Sequence, residues 1–354
     1  MNINLFDYNL PKNLIAQKQI KPRDHSRLLV LERQSQKIKH QHFYDLPDIL
    51  NENDILVLNE TKVFPARLLG QKKTGGRVEV FLIRKVKANI WQAMIGGRNL
   101  KSGDQIYFKH DFQVKLVKKV ESKVWQIEFN KSGQESERLI EKIGQTPLPP
   151  YIKTQDSQQI RKDYQTIFAK NQGSIAAPTA GLHFTKRILQ KLKAKNIQVY
   201  KITLHVGLGT FAPVDVEDIT KYQIHSELVS IDSQTARELN QLKKQNLSTS
   251  LEASKKIIAV GTTTARALEA FTDKKGKLHS GNKWVDLYIY PGYKYRFVDD
   301  LITNFHLPKS SLLFMVAALA GRENILKAYQ KAIKLKYRFY SFGDAMLITG
   351  CRDI

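Results

Sequence analysis

The sequence predicts an α/β protein: a mostly parallel sheet core flanked by helices, with a small antiparallel β-barrel domain inserted in it. Three observations carry this expectation. From about Phe64 to Asn130, short strand-like segments follow one another with no long helix between them. After Tyr151, strand and helix patterns alternate, as they do where helices cover a parallel sheet. The first 60 or so residues are too few for a domain of their own and end in a buried-strand pattern at 54–58. They therefore join the later sheet, so that 1–63 with 148–354 make the core and 64–147 the insert.

Within the insert, strands are expected at 77–86, 90–95, 105–108, 112–120 and 124–129. Trp125, Ile127 and Phe129 alternate with Gln126 and Glu128, the period of a strand with one buried face. Gly75-Gly76, Gly96-Gly97 and Ser102-Gly103 punctuate the segments. The run TPLPPY at 146–151 makes a stiff extended connector back to the core. There Thr185 can cap a helix carrying Ile188, Leu189 and Leu192 on one face, and a strand follows at 197–206. Asp232 can cap a second helix with Ala236, Leu239 and Leu242 inward. A strand at 257–260 runs into GTTT and a helix to Phe271. Strands at 286–290, 301–305 and near Met346, and helices from Ser310 and Asn324, complete the pattern.

The composition is that of a globular protein, but the formal net charge of +24 is not ordinary. It favours a polyanionic partner, since each Lys or Arg set on a phosphate releases counterions; a generally Lys-rich proteome is the plainer source. The single cysteine, Cys351, excludes an internal disulfide and any multi-cysteine metal site. No His, Asp and Glu cluster has metal spacing, so no metal is expected. The first residues lack a basic segment followed by an apolar one, and the apolar run 312–320 is too short for a bilayer. A cytoplasmic protein that touches no membrane is expected, acting as a monomer.

Ligands of open α/β sheets bind outside the carboxyl ends of the strands. The predicted strands end in Thr203-Leu-His205, Val260-Gly-Thr-Thr263, Tyr290-Pro-Gly292 and Thr303-Asn-Phe-His306, all polar or glycine-rich turns. His183 lies in a similar loop, GSIAAPTAGLHFT. Histidine can take or give a proton near neutral pH, and small neighbours allow a backbone to approach a ligand closely. Three such loops point to one pocket lined by His183, His205 and His306; singly, each histidine is as well explained by a structural hydrogen bond. GLGTFA at 207–212 matches G-x-G-x-x-A, but no helical pattern follows, so it is expected to be a tight loop and not a dinucleotide fingerprint.

Backbone N–H groups at the start of the helix after Gly261 could hold an anion beside Thr262 and Thr263, with Arg266 one turn in; the plainer alternative is a polar cap with a surface arginine. Asp24 and Arg27, in RDHSR, fit either a substrate-contacting loop or a surface turn. In YRFYSFGD, aromatics could stack an unpaired base while Arg338 holds phosphate, or Phe339 and Phe342 could simply pack in the core.

Taken together, FDYNLPKNLIAQ, RDHSRLLVL, VLNETKVFPARL, TGGRVEVFLIR, GSIAAPTAGLHFT, TLHVGLGTFAPV, IAVGTTTARALE, LITNFHLPKSSLLFMVAALAG and YRFYSFGDAMLI resemble the S-adenosylmethionine:tRNA ribosyltransferase-isomerase family of queuosine biosynthesis. The resemblance runs nearly end to end and is loosest in the insert after Val86. Departures are Glu60 where Asp is usual, Lys62 where Arg is common and Tyr288 where Phe is common.

The resemblance implies that S-adenosyl-L-methionine serves as ribosyl donor. The sugar would be attached to 7-aminomethyl-7-deazaguanine at the wobble position of tRNA and rearranged to an epoxy-cyclopentane, with adenine and methionine released. A general base must then reach the proton beside the sulfonium, and the departing adenine needs hydrogen bonds or a proton. One of His183, His205 and His306 would be that base and another would act on the adenine or the sugar. Thr262, Thr263 and Arg266 would hold the methionine carboxylate, and Thr179 and Asn304 the ribose or base. Lys62, Arg67, Lys72, Lys73 and Arg338 are candidates for tRNA phosphates. Two rival readings are a methyltransferase acting on RNA with the same cofactor, and a non-catalytic RNA-binding protein. The first lacks its glycine-rich loop opening a helix, and the second leaves three histidine loops without a purpose.

Overall fold

The structure, a computed structural model, describes residues 1–52, 54–207, 209, 214–245 and 255–350. Strands β1 (Arg27–Glu32) and β2 (Ile38–His42) form a hairpin, and α1 (Leu46–Ile49) leads to β3 (Ile55–Asn59) and a short β4 (Thr61–Val63). Next come β5 (Arg67–Lys72), β6 (Arg77–Lys85), β7 (Ile90–Gly96), β8 (Gln105–Tyr107), β9 (Gln113–Lys119) and β10 (Val124–Phe129). Helices α2 (Gly133–Ile143) and α3 (Gln158–Asp163) precede β11 (Asn171–Ser174), which pairs with β4. Then follow α4 (Lys186–Ala194), β12 (Gln198–His205), β13 (Glu227–Ile231), α5 (Ser233–Gln245), β14 (Ile257–Val260) and α6 (Thr262–Ala270). The chain ends with β15 (Gly281–Val285), β16 (Asp300–Asn304), α7 (Ser311–Ala320), α8 (Arg322–Lys334) and β17 (Ala345–Thr349).

Nine strands form one sheet in the order β15-β13-β12-β3-β14-β16-β17-β1-β2. In its middle, β12, β3, β14 and β16 run parallel, and every residue of β3, β14 and β16 is buried. This is why 55–58 and β14 read as unbroken apolar runs, both faces being covered, whereas β16 buries the polar Asp300, Thr303 and Asn304 beside Leu301 and Ile302. Ile55 and Val57 enter the apolar cluster on one face, while Leu56 and Leu58 enter the cluster on the other. The flanking pairings β12–β13, β13–β15, β16–β17 and β1–β2 are antiparallel, which makes the sheet mixed, and β1 runs parallel to β17.

Strands β5 to β10 close into a barrel in the order β10-β7-β6-β5-β8-β9. Its interior is filled by the alternate residues of each strand, with Phe112 stacked on Phe129 at 4.6 Å. The sequence did not disclose β5, whose RLLGQK lacks clean alternation, nor α2, which adds Ile140 to the barrel core.

One expected element is absent. Residues 286–290 are not a strand; the strand is β15, just before them, paired with β13. Its sequence GNKWV buries only Val285, because an edge strand has one open side, whereas Leu287 and Ile289 pack on the core from an irregular segment. Apolarity there marked burial and not strand. Thr185 and Asp232 cap their helices as expected, Thr185 Oγ1 accepting from Ile188 N at 3.2 Å and Asp232 Oδ1 from Thr235 N at 2.8 Å. Most of GLGTFA, together with Cys351, lies outside the described residues. Among the described residues no helix is long and apolar enough to cross a membrane.

Strand direction decides what meets at the sheet edge. The carboxyl ends of β3, β12, β14 and β16 lie along one edge. Because β13 and β17 run against their neighbours, and β1 runs with β17, their amino ends reach the same edge: His205 pairs with Leu228, Asn304 with Ala345, and Leu28 with Ala345.

Candidate active site at the sheet edge

A small cavity of about 70 Å³ opens at the ends of β14 and β16, lined by Thr179, Gly261, Thr262, Thr263, Asn304 and His306 among others. Gly261 joins β14 to α6 at φ +94°, a conformation that favours glycine, and so starts the helix directly beneath the cavity. The first N–H groups of α6, which have no partner within the helix, belong to residues on the wall of this cavity. Two further polar atoms, Thr263 Oγ1 and Asn304 Oδ1, are buried with no hydrogen-bond partner. Buried polar atoms are nearly always paired, and these two unpaired ones belong to residues that line the same cavity. Tyr340, which also lines this cavity, holds φ +70°, uncommon for a side chain of its size and typical of functional loops.

Behind Asn304 lies His183. Asn304 Nδ2 donates to His183 Nε2 at 3.1 Å, and Nδ1 therefore carries the proton and donates to Ser26 Oγ at 2.7 Å. Burial, helped by the charges of Arg338 and Arg23, lowers the His183 pKa to about 3, so the ring is neutral. His306 is neutral for the same reason, lowered to about 3 by burial, with Nε2 2.8 Å from Thr303 Oγ1. Its backbone is fixed on both sides: the N–H donates to the Tyr329 hydroxyl at 3.0 Å, and its carbonyl accepts from the Tyr8 hydroxyl.

His205 occupies a different space, a cleft of about 1140 Å³ between the barrel and the sheet. Its Nδ1 lies 2.8 Å from Thr61 Oγ1, and the ring lies against the backbone of Gly173, where a Cβ would sit 2.7–2.9 Å from three ring atoms. Partial burial lowers its pKa. Asn59, at the end of β3, bonds both N–H and C=O of Leu204 and so sets the strand that carries His205.

The expectation of a single pocket for the three histidines is therefore corrected. His306 lines the small cavity, His205 lines the cleft, and His183 lies behind the cavity wall. Between β12 and β16 stand β3 and β14, so β12, which ends in His205, and β16, which leads into His306, are roughly 14 Å apart at normal strand spacing. The two spaces share one wall residue, the buried Val206.

Arg266 is buried in α6 beside a narrow recess that it shares with Thr262, Thr263 and Tyr288. It is not an unshared positive charge, because its guanidinium pairs with Glu227 at the start of β13. The other Glu227 oxygen accepts from Gly207 N at 2.9 Å, so one carboxylate ties the helix under the cavity to the His205 loop.

Most of the proposed tRNA contacts have other partners. Asp24 is buried and accepts from Thr185 Oγ1 at 2.7 Å and Arg187 Nη2 at 3.0 Å. Arg27 donates to the carbonyls of Leu335 and Lys336 and lies 3.9 Å over Tyr337. Arg338 donates to Phe342 O at 2.7 Å and Lys18 O at 3.2 Å, and both arginines flank the buried Asp344. Arg67 pairs with Glu79, and Lys72 donates to two carbonyls of the barrel. Lys73 is exposed, and Lys62 is exposed on the wall of the cleft. Phe339 and Phe342 pack in the core.

Sequence reasoning missed Ser26, Asn59, Glu227 and Asp344. Three of them sit at the amino ends of strands that run against the central four, where a rule about carboxyl ends does not look. Among the described residues no group of three or more His, Cys, Asp or Glu is placed to hold a metal ion.

Fold and site together define an α/β protein with a barrel beside its sheet, a small cavity at the sheet edge and a much larger cleft against the barrel. The chain belongs to the family described as queuosine biosynthesis protein, whose profile matches residues 3–348. It is 48% identical to the S-adenosylmethionine:tRNA ribosyltransferase-isomerase of Aquifex aeolicus, over 98% of this chain and all of that one. It is 46% identical to the protein of the same name from Symbiobacterium thermophilum, with the same coverage. The crystal structure of the S-adenosylmethionine tRNA ribosyltransferase from Thermotoga maritima matches with TM-score 0.53 at 34% identity, covering 97% of this chain and 99% of that one.

Proposed function

We propose that this chain transfers and isomerises the ribosyl moiety of S-adenosylmethionine onto 7-aminomethyl-7-deazaguanine at the wobble position of tRNA, forming epoxyqueuosine and releasing adenine and methionine. The observation that carries this reading is that a small cavity and a large cleft adjoin across Val206 in a chain whose full-length relatives bear that name. One substrate is small, and the other must push a base into the protein from a macromolecule. A cavity of about 70 Å³ is far below the few hundred Å³ usual for a complete small ligand. It therefore takes one end of S-adenosylmethionine, and the rest extends past Val206.

In this arrangement the α6 amino terminus with Thr262 and Thr263 receives the methionine carboxylate, and Arg266 acts from beneath as half of its pair with Glu227. Asn304 and Thr179 hold the nucleoside. His205 is the proton acceptor: it is neutral, reachable from the cleft and less buried than the other two, whose pKa values near 3 make them weak bases. His183 and His306 instead hold the cavity wall. Residues 64–147 form the inserted unit that closes the cleft from the barrel side.

Incubating tRNA that carries the deazaguanine with S-adenosylmethionine tests the reading. The modified nucleoside should gain the mass of the rearranged ribosyl group, with adenine and methionine released together. Formation of S-adenosylhomocysteine would instead identify a methyltransferase.

A further inference from the structure

Trp284 stands on β15, the edge strand of the sheet, with 48% of its surface open, whereas Trp91 and Trp125 are 8% and 7% exposed inside the barrel. From the facing barrel wall, Arg84 of β6 places its guanidinium 5.1 Å from the Trp284 ring centroid. The Arg84 Nε donates to Gln92 Oε1 at 2.7 Å, which holds that planar cation in place. Trp284, Arg84 and Gln92 all line the cleft that contains His205. Neither Trp284 nor Arg84 has a part in the chemistry described above.

The charge of the cleft narrows what this pair can hold. Lys62, Arg84, Lys85 and Arg138 on its walls are matched by Glu121, Glu137, Glu141 and Glu227, four against four. Lys85 and Glu137 pair with each other at 2.7 Å, and Glu227 pairs with Arg266. The chain's excess of +24 thus lies outside the cleft. A trench for phosphates would be one-signed; a balanced slot with an open indole suits a flat, uncharged ring with polar edges.

We propose that Trp284 and Arg84 form a stacking shelf for one unpaired nucleobase of the RNA substrate, adjoining the base that enters the cleft. The inference rests on the reading that the chain acts on tRNA and adds the element that grips an unpaired base without reading its sequence. Indole and guanidinium planes both accept any base face, and stacking of this kind depends little on salt, unlike phosphate contacts.

The test uses the full chain, an anticodon stem-loop RNA and a fully paired RNA of equal length. Trp284→Ala should weaken stem-loop binding roughly tenfold to a hundredfold, by the same factor at low and high salt. Trp284→Phe should keep most of the affinity, and binding of the paired RNA should not change. Stem-loop binding should quench tryptophan emission in the parent protein, and that quenching should vanish in Trp284→Ala. S-adenosylmethionine affinity should be equal in all three proteins. Unchanged stem-loop affinity in Trp284→Ala overturns the shelf. So does a loss of S-adenosylmethionine affinity and thermal stability without quenching in the parent, which would make Trp284 a latch between barrel and sheet. If the parent protein releases no adenine with deazaguanine-bearing tRNA, the functional reading fails and the shelf with it.

Discussion

Asn304 and His183 form a hydrogen bond in which the amide donates and the imidazole accepts, at 3.1 Å, and this fixes which atom of Asn304 faces the cavity. With Nδ2 turned to the histidine, the carbonyl Oδ1 is the atom left buried and unpaired. Under the proposed reading, His183 then serves the reaction through Asn304, by holding Oδ1 toward the substrate. Removing the ring in His183→Leu should free the amide to turn and lower the rate of adenine release about tenfold to a hundredfold, the loss of one buried hydrogen bond to the substrate. His183→Gln, which can still accept through its carbonyl, should recover part of the rate. Because His183 stays neutral down to about pH 3, the pH profile of kcat/KM should keep its midpoints in both variants. A vanished midpoint near neutrality in steady-state assays would instead make His183 the base.

The two fully buried histidines also set an acid limit on the fold. Burial lowers each folded-state pKa from 6.5 to about 3, so between those values the unfolded chain binds more protons. Stability must then fall as pH falls through that window, and it is retained above 6.5. From pH 7 to pH 5 each histidine should cost about 2 kcal/mol, and the pair about 4 kcal/mol. Urea unfolding at the two pH values measures this. His306→Asn, whatever its stability at pH 7, should show about half the histidine-linked drop.

The order of elements was legible because both faces of the central sheet are buried. Residues 55–58 and 257–260 are apolar runs of strand length, and Thr185, Asp232 and Ser310 announce the helices that follow. Edge strand β15 was not legible, because a strand with an open side needs no apolar pattern. Within the site, Thr262, Thr263, Asn304 and His306 were legible as polar ends of parallel strands. Glu227, Ser26 and Asp344 were not, since strand direction is absent from a local pattern. The arginines misled for the opposite reason: Arg27 and Arg338 look like ligand-binding cations, yet the nearest unsatisfied carbonyls and Asp344 take them first.

Gly173 should tolerate no side chain. Its φ of +154° favours glycine, and a Cβ would meet the His205 ring at 2.7–2.9 Å. The ring must give way, which breaks its contact with Thr61 Oγ1. Gly173→Ala should therefore reduce kcat for adenine release at least tenfold, because small displacements of reacting groups cost rate steeply. Gly76→Ala, where a Cβ meets nothing within 4 Å, should leave both rate and melting temperature alone. Equal rates for the two variants would show that the placement of His205 does not matter to the reaction.

The Arg266–Glu227 pair is the remaining tie between cavity and cleft, and its energetics can be separated from its function. Both side chains are buried, Arg266 4% and Glu227 1% exposed, and burial brings the Arg266 pKa down to about 10, which leaves it charged at neutral pH. Glu227→Gln keeps an acceptor for Gly207 N but strands a buried cation, and should cost about 3–5 kcal/mol in chemical unfolding. Arg266→Met alone strands the carboxylate at similar cost. Replacing both, with Glu227→Gln and Arg266→Met together, should cost less than the sum, since no unpaired charge remains. If the pair serves only stability, the double variant regains its S-adenosylmethionine affinity along with its fold. If Arg266 also draws the methionine carboxylate to the α6 terminus, the double variant folds but binds S-adenosylmethionine about tenfold more weakly at low salt. Isothermal titration on the refolded double variant reads that difference directly, and recovered stability with weakened binding is the outcome expected.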